Sequence, residues 1–168
     1  KKKTAQKMAQ MFREQQASKV YKAVLENGLP SDEVFVSMPI GPDPNSSIRI
    51  KQGISNEGRP CATHFRLLKN LNKRCLVEIR PMTGRTHQIR VHSHYIGCTV
   101  TGDKLYGLAD DGFIKWLEQG QSYLDQTGFS TPRQLLHAME IGFIHPESNK
   151  KLTIRADDSK MMQMIPTQ

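Results

Sequence analysis

The chain has no run near the ~18 continuous apolar residues that a membrane-spanning helix needs, and no apolar stretch of the signal-peptide kind. These absences lead us to expect a soluble, cytoplasmic protein with no membrane among its partners. Cysteine is scarce: Cys61, Cys75 and Cys98 are odd in number, widely spaced and never arranged as C-x-x-C. That pattern argues against a disulfide frame or a zinc site and leaves three reduced thiols. Internal repeats and low-complexity tracts are missing, so residues 1–168 are read as a single domain. A chain of this length buries about 70% of the surface its unfolded form exposes. Acidic residues are outnumbered, 16 Asp and Glu against 24 Lys and Arg, for a net charge of +8. Such an excess favours a polyanionic partner such as nucleic acid. The first residue is Lys rather than Met, and Lys1-Lys2-Lys3 runs directly into a helical pattern, as in a chain whose natural start lies upstream.

What is present reads as alternating helix and strand signals. Ala5, Met8, Ala9 and Phe12 recur at helical spacing, predicting a helix from Thr4, as N-cap, to about Gln16. Ser18 to Leu25 reads as a strand, as do Val34 to Met38 and the neighbourhood of Ile48 to Ile50. The last two are separated by the turn-forming run Gly41-Pro42-Asp43-Pro44-Asn45. Ala62 to Leu68 and Arg74 to Arg80 form a hairpin around residues 69–73, the second strand marked by the alternation of Cys75, Val77 and Ile79. A helix is predicted from Arg85 to Ile96, between Gly84 and Gly97, and another over Phe113 to Leu124 around the single Trp116. Leu135 to Ile144 and Leu152 to Ile154 are the closing strands. The irregular alternation predicts an α+β fold with a mixed, mostly antiparallel sheet and flanking helices.

The densest polar segment is Gly84-Arg85-Thr86-His87-Gln88-Ile89-Arg90-Val91-His92. As a metal site it is poor. At about 100° per helical residue His87 and His92 diverge, while His87 and His94 share a face but lie ~10 Å apart along the axis. On such a helix His87, Arg90 and His94 form one polar stripe able to hold a buried carboxylate or a phosphate. The alternative is an amphipathic helix that packs Ile89, Val91 and Ile96 inward and leaves its basic face merely solvated.

In their order along the chain, several motifs resemble the RluA type of RNA pseudouridine synthase. They are Phe12-Arg13, Lys19-Val20-Tyr21-Lys22-Ala23-Val24, Gly58-Arg59-Pro60-Cys61-Ala62-Thr63, the segment from Thr83 to His92, Gly102-Asp103-Lys104-Leu105-Tyr106-Gly107, Leu136-His137-Ala138 and Phe143-Ile144-His145-Pro146. The resemblance implies a pseudouridine synthase catalytic-domain fold, incomplete on its N-terminal side, and isomerisation of uridine in structured ribosomal or transfer RNA without cofactor or metal. The target base must leave its stack, at a cost of a few kcal/mol.

The family's essential aspartate stands in an Arg-Leu-Asp motif that is not in this sequence. By family order it belongs just upstream of Lys1, on a segment or separate chain, so this chain alone is expected to be inactive. Tyr21 and Arg90 carry over as catalytic residues, Tyr21 stacking on the extruded uracil and Arg90 pairing with the aspartate. Lys19, Arg85, Thr86, His87 and Gln88 carry over as RNA contacts that supply charge and hydrogen-bond donors. Asp103 is given only a local backbone role in a turn, and Leu108 to Pro132 is read as a candidate specificity element. A non-catalytic RNA-binding homologue acting in ribosome assembly is the second reading, motivated by the missing aspartate.

Overall fold

A computed structural model describes residues 2–129 and 131–165. Helix α1 (Lys2–Arg13) ends before Gln15, which takes a left-handed φ of 60°, and leads into the long strand β1 (Ser18–Glu26). Thr4 lies inside α1 rather than capping it, and its hydroxyl bonds Glu147. Strand β2 (Glu33–Ser37) follows, then two three-residue strands, β3 (Ile40–Pro42) and β4 (Gln52–Ile54), paired as a separate ribbon. This ribbon corrects the sequence reading in two places. Gly41 and Pro42 are in a strand, where Pro42 is tolerated because a two-stranded ribbon is all edge. The expected strand at Ile48 to Ile50 is not one; Ile48 instead plugs a core cluster with Val91 and Tyr106.

Strands β5 (Ala62–Leu71) and β6 (Arg74–Pro81) form the expected hairpin, but a two-residue turn, Asn72-Lys73, joins them, with Asn72 at φ 59°. Residues 69–71 zip into the ladder beyond a bulge at Leu67/Lys69. Helix α2 (Gln88–Tyr95) begins later than its pattern predicts, because His87 adopts φ 56° and turns the chain into the helix. Short α3 (Lys104–Gly107) follows, then α4 (Asp110–Gln119) and α5 (Gln121–Thr127). Gly120, at φ 64°, splits what reads as one helix around Trp116. Strands β7 (Leu136–Ile144) and β8 (Lys151–Arg155) and the short α6 (Ser159–Gln163) complete the described chain.

The six-stranded sheet runs β2-β5-β6-β1-β7-β8, and every neighbouring pair is antiparallel. Strand β1 is therefore central, between β6 and β7. Its alternation serves two cores: Ala23 and Leu25 pack with Phe65, Val77, Ile79 and Ile89 of α2, while Val24 packs with Leu76, Leu135 and Met161 of α6. Among the described residues no helix is long and apolar enough to cross a membrane.

Candidate active site

Two residues before the core-facing Ala23, the central strand presents Tyr21, and two before that Lys19. The register between β1 and β7 slips between Val20 and Tyr21, a bulge that re-aims side chains at this end of the strand. Here β1 meets the loop after β6, the start of α2 and the entry to β7. The result is a cavity of about 270 Å³ lined by Lys19, Tyr21, Arg85, His87, Arg90 and Gln134 among others. Lys19 donates from Nζ to the Thr83 carbonyl at 3.1 Å, and burial holds its pKa below the usual lysine range.

Arg90 is held by two partners. Its Nε and Nη2 donate to Asp103 Oδ2 and Oδ1 at 2.6 and 2.8 Å, a bidentate pair in which the Asp103 side chain has no exposure. Its guanidinium carbon lies 4.8 Å from the centre of the Tyr106 ring. Asp103 does perform the local task read from the sequence, accepting from the backbone N–H of Leu105 and Tyr106 as the N-cap of α3. It also orients an arginine thirteen residues away. The remaining N–H groups of Arg90 are not used by this pair.

His87 Nδ1 sits 3.0 Å from the Tyr106 hydroxyl, which itself accepts from the Gln52 backbone N–H at 3.1 Å. Burial pushes the Tyr106 pKa up to about 12, so the phenol keeps its proton. Burial, then the Arg90 charge, hold the His87 pKa below its ordinary value. At neutral pH His87 is therefore uncharged and not the cation that a basic stripe suggests.

Gln88 is 4% exposed and works as a strut. Its Nε2 donates to the Ala62 carbonyl at 2.9 Å and to Thr63 Oγ1 at 3.0 Å, while its Oε1 accepts from Thr83 Oγ1 at 2.5 Å and from the Arg85 backbone N–H at 3.1 Å. Thr63 in turn donates to Nδ1 of the fully buried His92 at 2.8 Å, whose Nε2 donates to the Met38 carbonyl at 3.0 Å. Buried polar groups are costly unless paired, and this chain pairs every member. It fixes the loop that carries Arg85 to the strands beneath.

The structure thus gathers Lys19, Tyr21, Arg85, His87, Gln88 and Arg90 around one cavity. Thr86 lies on the far side of the loop, in an adjoining cavity of about 350 Å³ that also contains Arg59 and Arg85. Arg85 spans both, and its buried Nε has no hydrogen-bond partner among the described residues. The three histidines of the segment take separate partners, His94 bonding Thr99 Oγ1 at 3.1 Å at the surface. Sequence reasoning missed Asp103 as the Arg90 partner, Tyr106, Gln134, and the His92–Thr63 pair. Asp103 and Tyr106 left a signal, a carboxylate and an aromatic within one glycine-bounded motif, beside a stripe able to hold a buried carboxylate.

Comparison with known proteins identifies the family. The model of the family described as RNA pseudouridylate synthase matches residues 1–95, a span that holds both Tyr21 and Arg90. Ribosomal large subunit pseudouridine synthase D of Zymomonas mobilis is 34% identical over 94% of this chain and 47% of its own length. Ribosomal large subunit pseudouridine synthase C of Vibrio cholerae is 36% identical over 86% of this chain and 42% of its own length. The chain thus spans less than half the length of these curated relatives. In fold it is similar to the solved structure of human RNA pseudouridylate synthase domain containing 1, with a TM-score of 0.70 at 24% identity over 92% of this chain and 60% of that one. With more than half its residues matched by the family model, the chain belongs to the RNA pseudouridylate synthase family.

Proposed function

We propose that the full protein isomerises uridines of structured RNA in the manner of the RluA type, and that this chain supplies the base-binding part of the active site. The observation that carries the reading is the convergence of Tyr21 and Arg90 on one cavity from separate elements, β1 and α2. In isomerisation the bond from the ribose C1′ to N1 of uracil breaks, the base turns, and C1′ bonds to C5, which gives up a proton while N1 gains one. Tyr21 stacks on the extruded uracil and assists that proton transfer. Arg90, immobilised by Asp103 and Tyr106, offers its free N–H groups to the catalytic aspartate and favours its ionised form.

The aspartate belongs, in this reading, to a part of the protein outside these 168 residues, which contain no Arg-Leu-Asp motif. The chain by itself is inactive. Lys19, Arg85 and Thr86 serve the RNA backbone, His87 contacts the nucleotide without charge, and Gln88 acts mainly by holding Arg85 in place. The Zymomonas and Vibrio relatives are named for the large ribosomal subunit, which favours ribosomal over transfer RNA as substrate.

The test is to incubate the full protein with bulk RNA and measure the pseudouridine formed. Turnover is expected, with Tyr21→Phe sharply slower at unchanged RNA affinity. A folded protein that binds RNA yet forms no pseudouridine ends the enzyme reading. The second reading, a non-catalytic RNA-binding homologue, motivated by the missing motif, would then take its place.

A further inference from the structure

We propose that the cavity beneath Trp116 is a second nucleotide subsite, which holds the base of one nucleotide adjacent to the target uridine and so makes the α4–α5 segment a specificity element. The inference rests on the uridine site described above and extends it to a neighbouring base.

The cavity, about 340 Å³, shares His87, Arg90 and Gln134 with the Tyr21 cavity, so the two are parts of one continuous cleft. Its character differs from the polar pocket on the Thr86 side. Trp116 forms one wall, braced by the buried Phe113 ring at 5.5 Å and 51°, and Ile50, 60% exposed, forms another. A partly exposed indole fixed on one side by a second aromatic is a stacking platform, and every base offers it a π-face.

Charge decides which part of a nucleotide goes where. The anion of the cavity, Asp103, is buried and engaged by Arg90, and the Lys104 ammonium is engaged by the Thr131 and Pro132 carbonyls, so neither calls for an ionic partner. Arg133, at the mouth, is exposed and has no carboxylate partner among the described residues. A base therefore suits the interior and its phosphate the rim. The wall is rigidly placed, since Asp110 in the first turn of α4 bonds Lys51 Nζ at 2.7 Å, the Ser46 hydroxyl and the Ser47 backbone N–H.

The experiment uses the full protein and adenosine hexanucleotides with one internal uridine, either intact or abasic at the 5′ or the 3′ neighbour of that uridine. Trp116 emission is isolated by subtracting the Trp116→Phe variant. On the expected result the intact hexamer quenches Trp116. Removing one neighbouring base, and only one, abolishes the quenching and weakens binding about tenfold, the scale of a single base–aromatic stack. Trp116→Ala should lose the same factor with the intact hexamer and become indifferent to the abasic site, while Trp116→Phe, which keeps an aromatic, retains affinity. Arg133→Ala checks the rim at an exposed position that leaves the core untouched, with a loss of a few-fold. A protein that isomerises uridine while Trp116 stays silent, or whose abasic and Trp116→Ala losses simply add, overturns this subsite alone. A protein that neither binds the hexamers nor isomerises uridine overturns the subsite together with the reading of the cleft.

Discussion

The rim of the cleft and the flanks of the sheet treat their arginines differently. On the flanks each arginine of the sheet is matched: Arg74 with Glu26 at 2.9 Å, Arg66 and Arg80 with Glu78 at 3.1 and 2.9 Å, Arg155 with Glu140 at 2.7 Å. Around the cleft Arg59, Arg85 and Arg133, and Arg49 beside Ile50, have no carboxylate partner among the described residues. Four arginines without a carboxylate thus stand where a polyanion would lie. Arg90 breaks the pattern in an instructive way, since it lines the cleft yet is paired with a buried carboxylate. A free arginine is suited to capturing phosphate, and a locked one to holding a fixed position beside reacting groups.

The largest expected effect comes from unlocking Arg90. Arg90→Ala leaves Asp103 as an unpaired buried carboxylate, a loss of roughly 3–5 kcal/mol in stability, together with loss of turnover in the full protein. Adding Asp103→Asn removes the stranded charge while keeping an oxygen to cap α3, so the double variant should regain most of the stability and none of the activity. Urea unfolding of the two variants separates these contributions. If Arg90→Ala unfolds at the wild-type midpoint, the distinction between locked and free arginines fails at its clearest case.

A smaller effect sharpens the comparison from the side of the strut. His92 is fully buried, and burial holds its pKa below the ordinary histidine value, with the Met38 carbonyl opposing. The unfolded chain then binds the proton more readily than the native one. Stability is therefore fully present above about pH 6.5, the unfolded value, and is lost as pH falls from there through the depressed native pKa, at about 1.4 kcal/mol per unit of depression. His87 is depressed in the same direction and shares the slope. His92→Gln removes one of the two titrations, so its stability should decline less between neutral and mildly acidic pH than that of the wild type. An unchanged decline would place the acid sensitivity elsewhere than in the strut.

How much of this was legible in the sequence follows from the range of the interactions. The alternation in Arg74 to Arg80 and the β-rich run in Ser18 to Leu25 are local signals, and both strands appear where they were read. The placing of Tyr21 and Arg90 in one cleft came from the ordered motifs rather than from periodicity. The rest depended on partners far along the chain. The β3–β4 ribbon is two three-residue strands with two glycines and a Pro, held by their mutual pairing and by partners far along the chain, Arg59 on Ile40 and Tyr106 on Gln52. Gln88 reads as a surface donor until Ala62, Thr63, Thr83 and Arg85 close around it. The left-handed His87 shortened α2 and moved Arg85 and Thr86 off the helix into a loop between two cavities, while His87, Arg90 and His94 keep to one side against the Tyr106 ring and Arg90 holds the buried Asp103 carboxylate.

The smallest effect tests the arginine comparison most directly. Each rim arginine that contacts a phosphate releases counterions on binding, so Arg85→Ala and Arg133→Ala should each lower the slope of log affinity against log salt by roughly 0.7 to 0.9. Affinity at moderate salt would fall only a few-fold. Arg74→Ala and Arg155→Ala remove the same formal charge from flank positions already neutralised by Glu26 and Glu140, and should leave the slope unchanged. Comparing the four at one RNA and several salt concentrations controls for net charge, which none of the variants changes by a different amount. If rim and flank variants shift the slope alike, RNA senses the protein as a diffuse positive body. If only the rim variants do, the missing carboxylates around the cleft are what leave those arginines free for phosphate.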